Sequence, residues 1–171
     1  MNDETRSAHL YEAIVEQTPD ALIYADRQGV IRIWNGGAEQ VFGFRADDAV
    51  GKSLDLIIPE RLRSAHWKGF QAALDRGRTS AGRRVRTTRA VHQDGRKLYV
   101  DLSFGLVVDA GGHPLGAVAI GRDCTERFLA EKVLRDRLAE LETVSRAREN
   151  EPPAAGDLSS RSRPAASGDD G

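Results

Sequence analysis

The chain has 171 residues with 25 basic and 26 acidic side chains, so its charges nearly cancel and bulk attraction to a polyanion is excluded. Its single cysteine, Cys124, excludes an internal disulfide and suits a reducing compartment. No apolar run is long enough to cross a bilayer, and the polar opening MNDETRSAHL lacks a signal-peptide core, so the sequence reads as a cytoplasmic protein of one domain with appendages.

Residues 1–17 read as a flanking helix with Leu10, Ala13 and Ile14 on one side, expected to cover the outer face of a sheet. ALIYADRQGVIRIWN reads as a hairpin, two β-rich runs around Arg27, Gln28 and Gly29. GGAEQVFGF fits a short helix that turns Val41 and Phe42 inward, and RADDAVGKSLDLIIP gives brief helical turns broken at Gly51. PERLRSAHWKGFQAAL begins a longer helix. Pro59 is expected at its first position, where a missing N–H costs nothing, and Gly77 near its end.

Three strands follow. GRRVRTTRAVH and RKLYVDLSFGLVV flank Gln93, Asp94 and Gly95, a hairpin loop with glycine where a positive φ is needed. DAGGHP then turns the chain into LGAVAIGRD. After Asp123, a predicted cap that pairs with Arg122 or Arg127, TERFLAEKVLRDRLAELETVSRAREN is helical. From Asn150 the composition shifts to Pro, Ala, Ser, Gly and Asp with Leu158 as the lone large apolar residue, too little to repay ordering, so disorder is expected. The order of elements describes an α+β fold: a five-stranded antiparallel sheet with helices gathered on one face. The expected divisions are a flanking helix over 1–17, a domain over 18–125, an exit helix over 126–149 and a disordered tail over 150–171.

Leu62, His66, Gly69, Phe70 and Ala73 fall on one mostly apolar face of the Pro59 helix. His66 therefore turns inward, either bonded to a backbone carbonyl or holding something, and Gly69 and Ala73 leave space beside it. If His92 pairs with Arg96 in the hairpin, Arg86 lies opposite Leu102 and Arg84 opposite Phe104. Both arginines then share the sheet face of Leu98, Val100, Leu102, Phe104 and Leu106. A charge there needs a partner or must snorkel out at the rim.

Other candidates reduce to ordinary roles. His9, His92 and His113 have no metal-like spacing and read as solvated. Glu39, Asp47 and Asp48 read as caps or solvated faces, and Trp34 and Trp67 as packing residues. The basic run RGRTSAGRRVRTTR splits its charges between two strand faces and lacks aromatic residues, which argues against nucleic-acid binding. No nucleophile sits with a base, and there is no phosphate-cradling loop or metal cluster, so the sequence does not read as an enzyme. Leu134, Leu138 and Leu141 follow four-then-three spacing, which predicts a homodimer through a short coiled coil.

TPDALIYADRQGVIRIWNGGAEQVFGF, GKSLDLIIPE, HQDGRKLYVDLS and GRDCTER, in that order and spacing, resemble a PAS sensory domain over about Ala13 to Thr125. The resemblance implies the PAS fold, with Asp123, Thr125 and Arg127 forming the exit to a signalling helix. It also implies a partner in signal transduction or transcription regulation, such as a histidine kinase or regulator. Photoactive flavin PAS domains carry a cysteine beside the flavin ring, and Cys124 at the sheet's exit does not match it. PERLRSAH is similar to the helix of oxygen-sensing haem PAS domains of nitrogen-fixation sensor kinases. That likeness implies b-type haem with His66 as iron ligand, Gly69 and Phe70 beside the ring, Arg86 answering bound gas, and Leu102 and Phe104 as the apolar far wall. Ala72 and Ser80 stand where those sensors carry basic residues near the propionates. The alternative is a cofactor-free PAS module for dimerisation or protein interaction.

Overall fold

The structure, a computed structural model, describes residues 3–79, 82 and 84–149, with the side chains of residues 4, 148 and 149 excepted. The elements are α1 (Asp3–Gln17), β1 (Ala21–Asp26), β2 (Ile31–Trp34), α2 (Gly36–Phe42), α3 (Ala46–Ala49), a single 3₁₀ turn (Leu54–Leu56), α4 (Glu60–Arg76), β3 (Arg86–Val91), β4 (Lys97–Val108), β5 (Pro114–Asp123) and α5 (Thr125–Glu149). The strands form one antiparallel sheet in the order β2-β1-β5-β4-β3. The last strand thus enters between the two hairpins and joins them.

Period-2 alternation decides which sheet face is buried. Ala21, Ile23 and Ala25 of β1 and Leu98, Val100 and Leu102 of β4 turn to the helices, where Phe42, Trp34, Ala38, Ala49 and Ile57 complete the core. Asn35 is fully buried among them. Its Oδ1 accepts from Leu22 N–H (2.8 Å) and Ala38 N–H (2.9 Å), and its Nδ2 donates to the carbonyls of Val15, Thr18 and Asp20. One side chain thereby caps α2 and ties it to β1 and to the end of α1.

The hairpin register is as read from the sequence: His92 N–H donates to the Arg96 carbonyl, and Arg86 stands opposite Leu102. β3, however, begins at Arg86. Arg84 lies outside the ladder and is exposed, so it does not oppose Phe104. The intervening Val85 is itself exposed and offers the sheet nothing to bury. Pro59 precedes α4 as its N-cap rather than opening it, with ψ of 133° holding it outside the helix. Leu10, Tyr11 and Ile14 of α1 are exposed instead of covering the sheet, because α1 is held by its C-terminal end through Asn35. His92 is not solvated: its side chain is 15% exposed, and its ring leaves no room for a Cβ at Gly43, whose φ is 81°.

The packed unit runs to Ala130. In the part of α5 from Glu131 onward, Leu134, Leu138 and Leu141 are exposed. The tail over 150–171 and Ser80 lie outside the described residues.

Candidate ligand cavity

α4 crosses the inner face of the sheet, and its first half is fastened. Trp67 Nε1 donates to Asp55 Oδ1 at 2.9 Å while its ring covers Gly29. The Arg63 guanidinium donates to the carbonyls of Ile58 (3.2 Å) and Asp55 (3.1 Å). Beyond this point α4 opens at Gly69, which is exposed and where a Cβ would meet nothing within 4 Å, before Leu74 packs inward again.

His66 lies at the change from one regime to the other. Its ring makes an edge contact with Trp67 at 5.0 Å between centroids and sits 6.0 Å from Phe70. Nδ1 is buried and has no hydrogen-bond partner among the described residues, so the carbonyl-bonded alternative is not the one adopted. Burial lowers its pKa from the usual 6.5, partly opposed by the Asp55 carboxylate. The imidazole is therefore neutral near pH 7, the form that ligates a metal.

Two cavities meet at this histidine. The inner one, of about 100 Å³, is apolar and reaches Ile23, Ala25, Leu102 and Phe104. The outer one, of about 210 Å³, runs past Gly69, Ala73, Arg86 and Leu106. His66, Phe70, Phe104 and Ala117 wall both. The structure therefore places His66, Gly69, Phe70, Arg86, Leu102 and Phe104 on the walls of these two adjoining cavities, an inner and an outer lobe. Arg86 takes the rim position: its residue is exposed, and its guanidinium has no ion-pair partner among the described residues.

Sequence reasoning missed what makes the room. On β5, Ala117, Ala119 and Gly121 oppose Leu106, Phe104 and Leu102, giving a stripe of small residues under α4. The signal was available in the alternation of LGAVAIGRD.

The exit differs in detail from its expected form. Asp123 Oδ1 accepts from Thr125 N–H at 2.8 Å, but from one residue outside the expected place, because Cys124, whose carbonyl accepts the Phe128 N–H, holds the N-cap position. The arginines named as its partners reach elsewhere, Arg122 to Asp20 and Arg127 to Asp101 at 2.5 Å. Thr125 Oγ1 accepts from Tyr99 N–H at 2.9 Å, and the Tyr99 ring stacks on Phe128 at 3.9 Å. Tyr99, Asp101 and Phe128 had not been singled out. Cys124 is buried at this exit, and burial pushes its thiol pKa up, with the Asp101 carboxylate adding to the shift.

An antiparallel five-stranded sheet with short helices over one face, and an apolar cavity beneath the longest of them, defines a small α+β domain of the sensory type. The chain belongs to the PAS family: the family model described as PAS fold matches residues 9–124. The sensor protein FixL of Bradyrhizobium diazoefficiens is 31% identical over 146 residues, which are 83% of this chain and 28% of that protein. The oxygen sensor protein DosP of Escherichia coli is 20% identical over 132 residues, 77% of this chain and 16% of that protein. The chain thus spans under a third of these curated relatives. Among solved structures, the PAS domain of a Colwellia psychrerythraea protein superposes with a TM-score of 0.61 at 21% identity, covering 70% of this chain and 98% of that one. This is a PAS sensory domain related to sensor proteins.

Proposed function

We propose that the domain is the input module of a cytoplasmic signalling protein and that it works by binding rather than catalysis. In this reading it holds b-type haem in the α4 cavity through His66, and its state leaves through α5 to a kinase or regulator. The observation that carries the reading is a neutral imidazole that lines an apolar cavity and whose buried Nδ1 has no partner among the described residues. A buried polar nitrogen left unpaired costs about 1–3 kcal/mol, a cost that ring reorientation and metal ligation would remove.

The remaining residues fit a flat apolar group. Gly69 gives it clearance on α4, Phe70, Leu102 and Phe104 face it, and Arg86 at the rim stands ready to meet charge. Each lobe alone is smaller than a macrocycle, so entry requires the Phe70 and Phe104 side chains, which wall both, to part. Haem held here would supply an iron that takes a diatomic gas. The relatives' names, a sensor protein and an oxygen sensor, support that direction. Cys124 lies away from both lobes, which supports setting cysteinyl-flavin photochemistry aside. The test is expression with haem supplied: a Soret band lost in His66→Ala supports the proposal. A protein that takes up no haem, or keeps it unchanged in His66→Ala, overturns it.

A second reading rests on a different observation. Leu134, Leu138 and Leu141 form an exposed apolar stripe on α5, and α1 exposes Leu10, Tyr11 and Ile14. These suit a homodimer, with or without a cofactor. Light scattering at micromolar concentration should give twice the chain mass, falling to one chain in Leu138→Glu. A monomer in both forms defeats the dimer.

A further inference from the structure

We propose that β3 is the strand that carries the state of the cavity outward, and that Asp101 is the positioning residue through which it holds the root of α5. The inference rests on the cavity being the sensing site.

β3 is an edge strand with a single ladder partner, β4; on its other side the Val91 N–H donates to the Ile57 carbonyl at 2.9 Å and pins that end, so the stretch over 86–90 is the part free to shift. Its side chains alternate between two faces. Thr88 and Ala90 turn to the inner lobe, which Arg89 also borders, and Arg86 lines the outer one. Thr87 and Arg89 point to the opposite face. There Thr87 Oγ1 donates to Asp101 Oδ1 at 2.5 Å, and the Arg89 guanidinium lies 5.7 Å over the Tyr99 ring.

These two residues of β4 are also the ones that α5 grips. Asp101 Oδ2 accepts from Arg127 Nη2 at 2.5 Å, and the Cys124 thiol lies 3.4 Å from Oδ1. Tyr99 stacks on Phe128, and its carbonyl accepts from Cys124 N–H at 2.8 Å. The carboxylate therefore has one oxygen on the cavity strand and the other on the exit helix. Both bonds are charge-assisted. Asp123 cannot serve in this way, because the bond its carboxylate makes to Thr125 N–H is local to the helix start. The two-state element is the clasp itself. With β3 seated, Asp101 is shared between Thr87 and Arg127; with β3 displaced by cavity contents, the Thr87 bond opens and the first turn of α5 loosens.

The test is amide hydrogen exchange over residues 125–130 in the full chain. Gly69→Leu fills the outer lobe from α4, on the far side of the cavity from the clasp, and Ala73→Leu does the same if the first variant does not fold. The lobe-filling substitution should change exchange at the α5 root. Thr87→Val, which keeps the shape and removes the hydroxyl, should cut that change roughly fivefold. Thr87→Ser should restore it, which loss of packing alone would not explain. A change of undiminished size in Thr87→Val, or none at all on filling the lobe, overturns the clasp. Haemin added to the same samples reports separately: no Soret band in the wild type counts against haem, while the lobe-filling arm still decides the clasp.

Discussion

Asn35 and His66 are both polar side chains that the fold turns inward, and they meet opposite surroundings. Asn35 is fully buried and its amide meets five backbone groups of α1, β1, α2 and the links between them: two N–H groups donate to Oδ1, and three carbonyls share the two Nδ2 hydrogens. His66 keeps a buried nitrogen with no partner among the described residues and borders two cavities. The first region behaves as scaffold, in which every polar atom is accounted for. The second is where the fold leaves polar capacity and space unspent, which is what a site that must accept something requires.

Replacing each residue by an apolar side chain should break the symmetry most strongly. Asn35→Leu strands two backbone donors and three acceptors that the amide now satisfies, and should cost at least about 3 kcal/mol, read as a large drop in the urea midpoint. His66→Leu removes an unsatisfied group from an apolar wall. It should be neutral or stabilising by up to about 1 kcal/mol in the ligand-free protein. Equal losses at the two positions would erase the distinction.

Two helical glycines sharpen the same contrast. A Cβ on Gly37 of α2 would lie 2.2 Å from the Asp20 carbonyl oxygen, so Gly37→Ala forces backbone apart and should cost about 2 kcal/mol. A Cβ on Gly69 of α4 meets nothing within 4 Å. Gly69→Ala should instead stabilise by roughly 0.5–1 kcal/mol through helix propensity alone. Thermal melts of the pair separate tight from loose packing, and a destabilised Gly69→Ala would mean that α4 is seated more closely than its surroundings indicate.

How far the sequence carried depended on whether a feature was local. The inward stripe of α4 and the pairing of Arg86 with Leu102 follow from period and from one turn, so both were legible. The starting point of β3 was not, because Arg84 and Val85 continue the alternation after the pairing has stopped. Asp101 sits at an outward strand position and reads as solvated. Its role exists only because α5 returns to β4. His92 read as a turn residue because its contact with Gly43 joins elements that are distant in the chain. Asn35 precedes the GGAEQVFGF helix in the sequence, but its three carbonyl partners come from the last turn of α1 and the α1–β1 link, where no pattern announces them.

The smallest effect concerns pH. Burial holds the folded His66 pKa below 6.5, with Asp55 opposing, whereas the unfolded chain takes up its proton near 6.5. As pH falls below that value the unfolded state binds a proton that the folded state does not, so stability declines until the folded pKa is passed and then levels off from this source. The carboxylates behave separately. Asp26, Asp94, Asp101 and Asp109 have pKa values lowered from 3.8, so their contribution is full above that value and fades as pH falls through their lower folded values. The carboxylate window lies below 3.8, so a comparison made at about pH 5 and above reads the histidine. Urea unfolding at about pH 7.5 and about pH 5 should therefore show the wild type losing up to ~1 kcal/mol relative to His66→Leu. If the difference between the two proteins is the same at both pH values, His66 titrates alike folded and unfolded, and the region around it is wet rather than a dry wall awaiting a ligand.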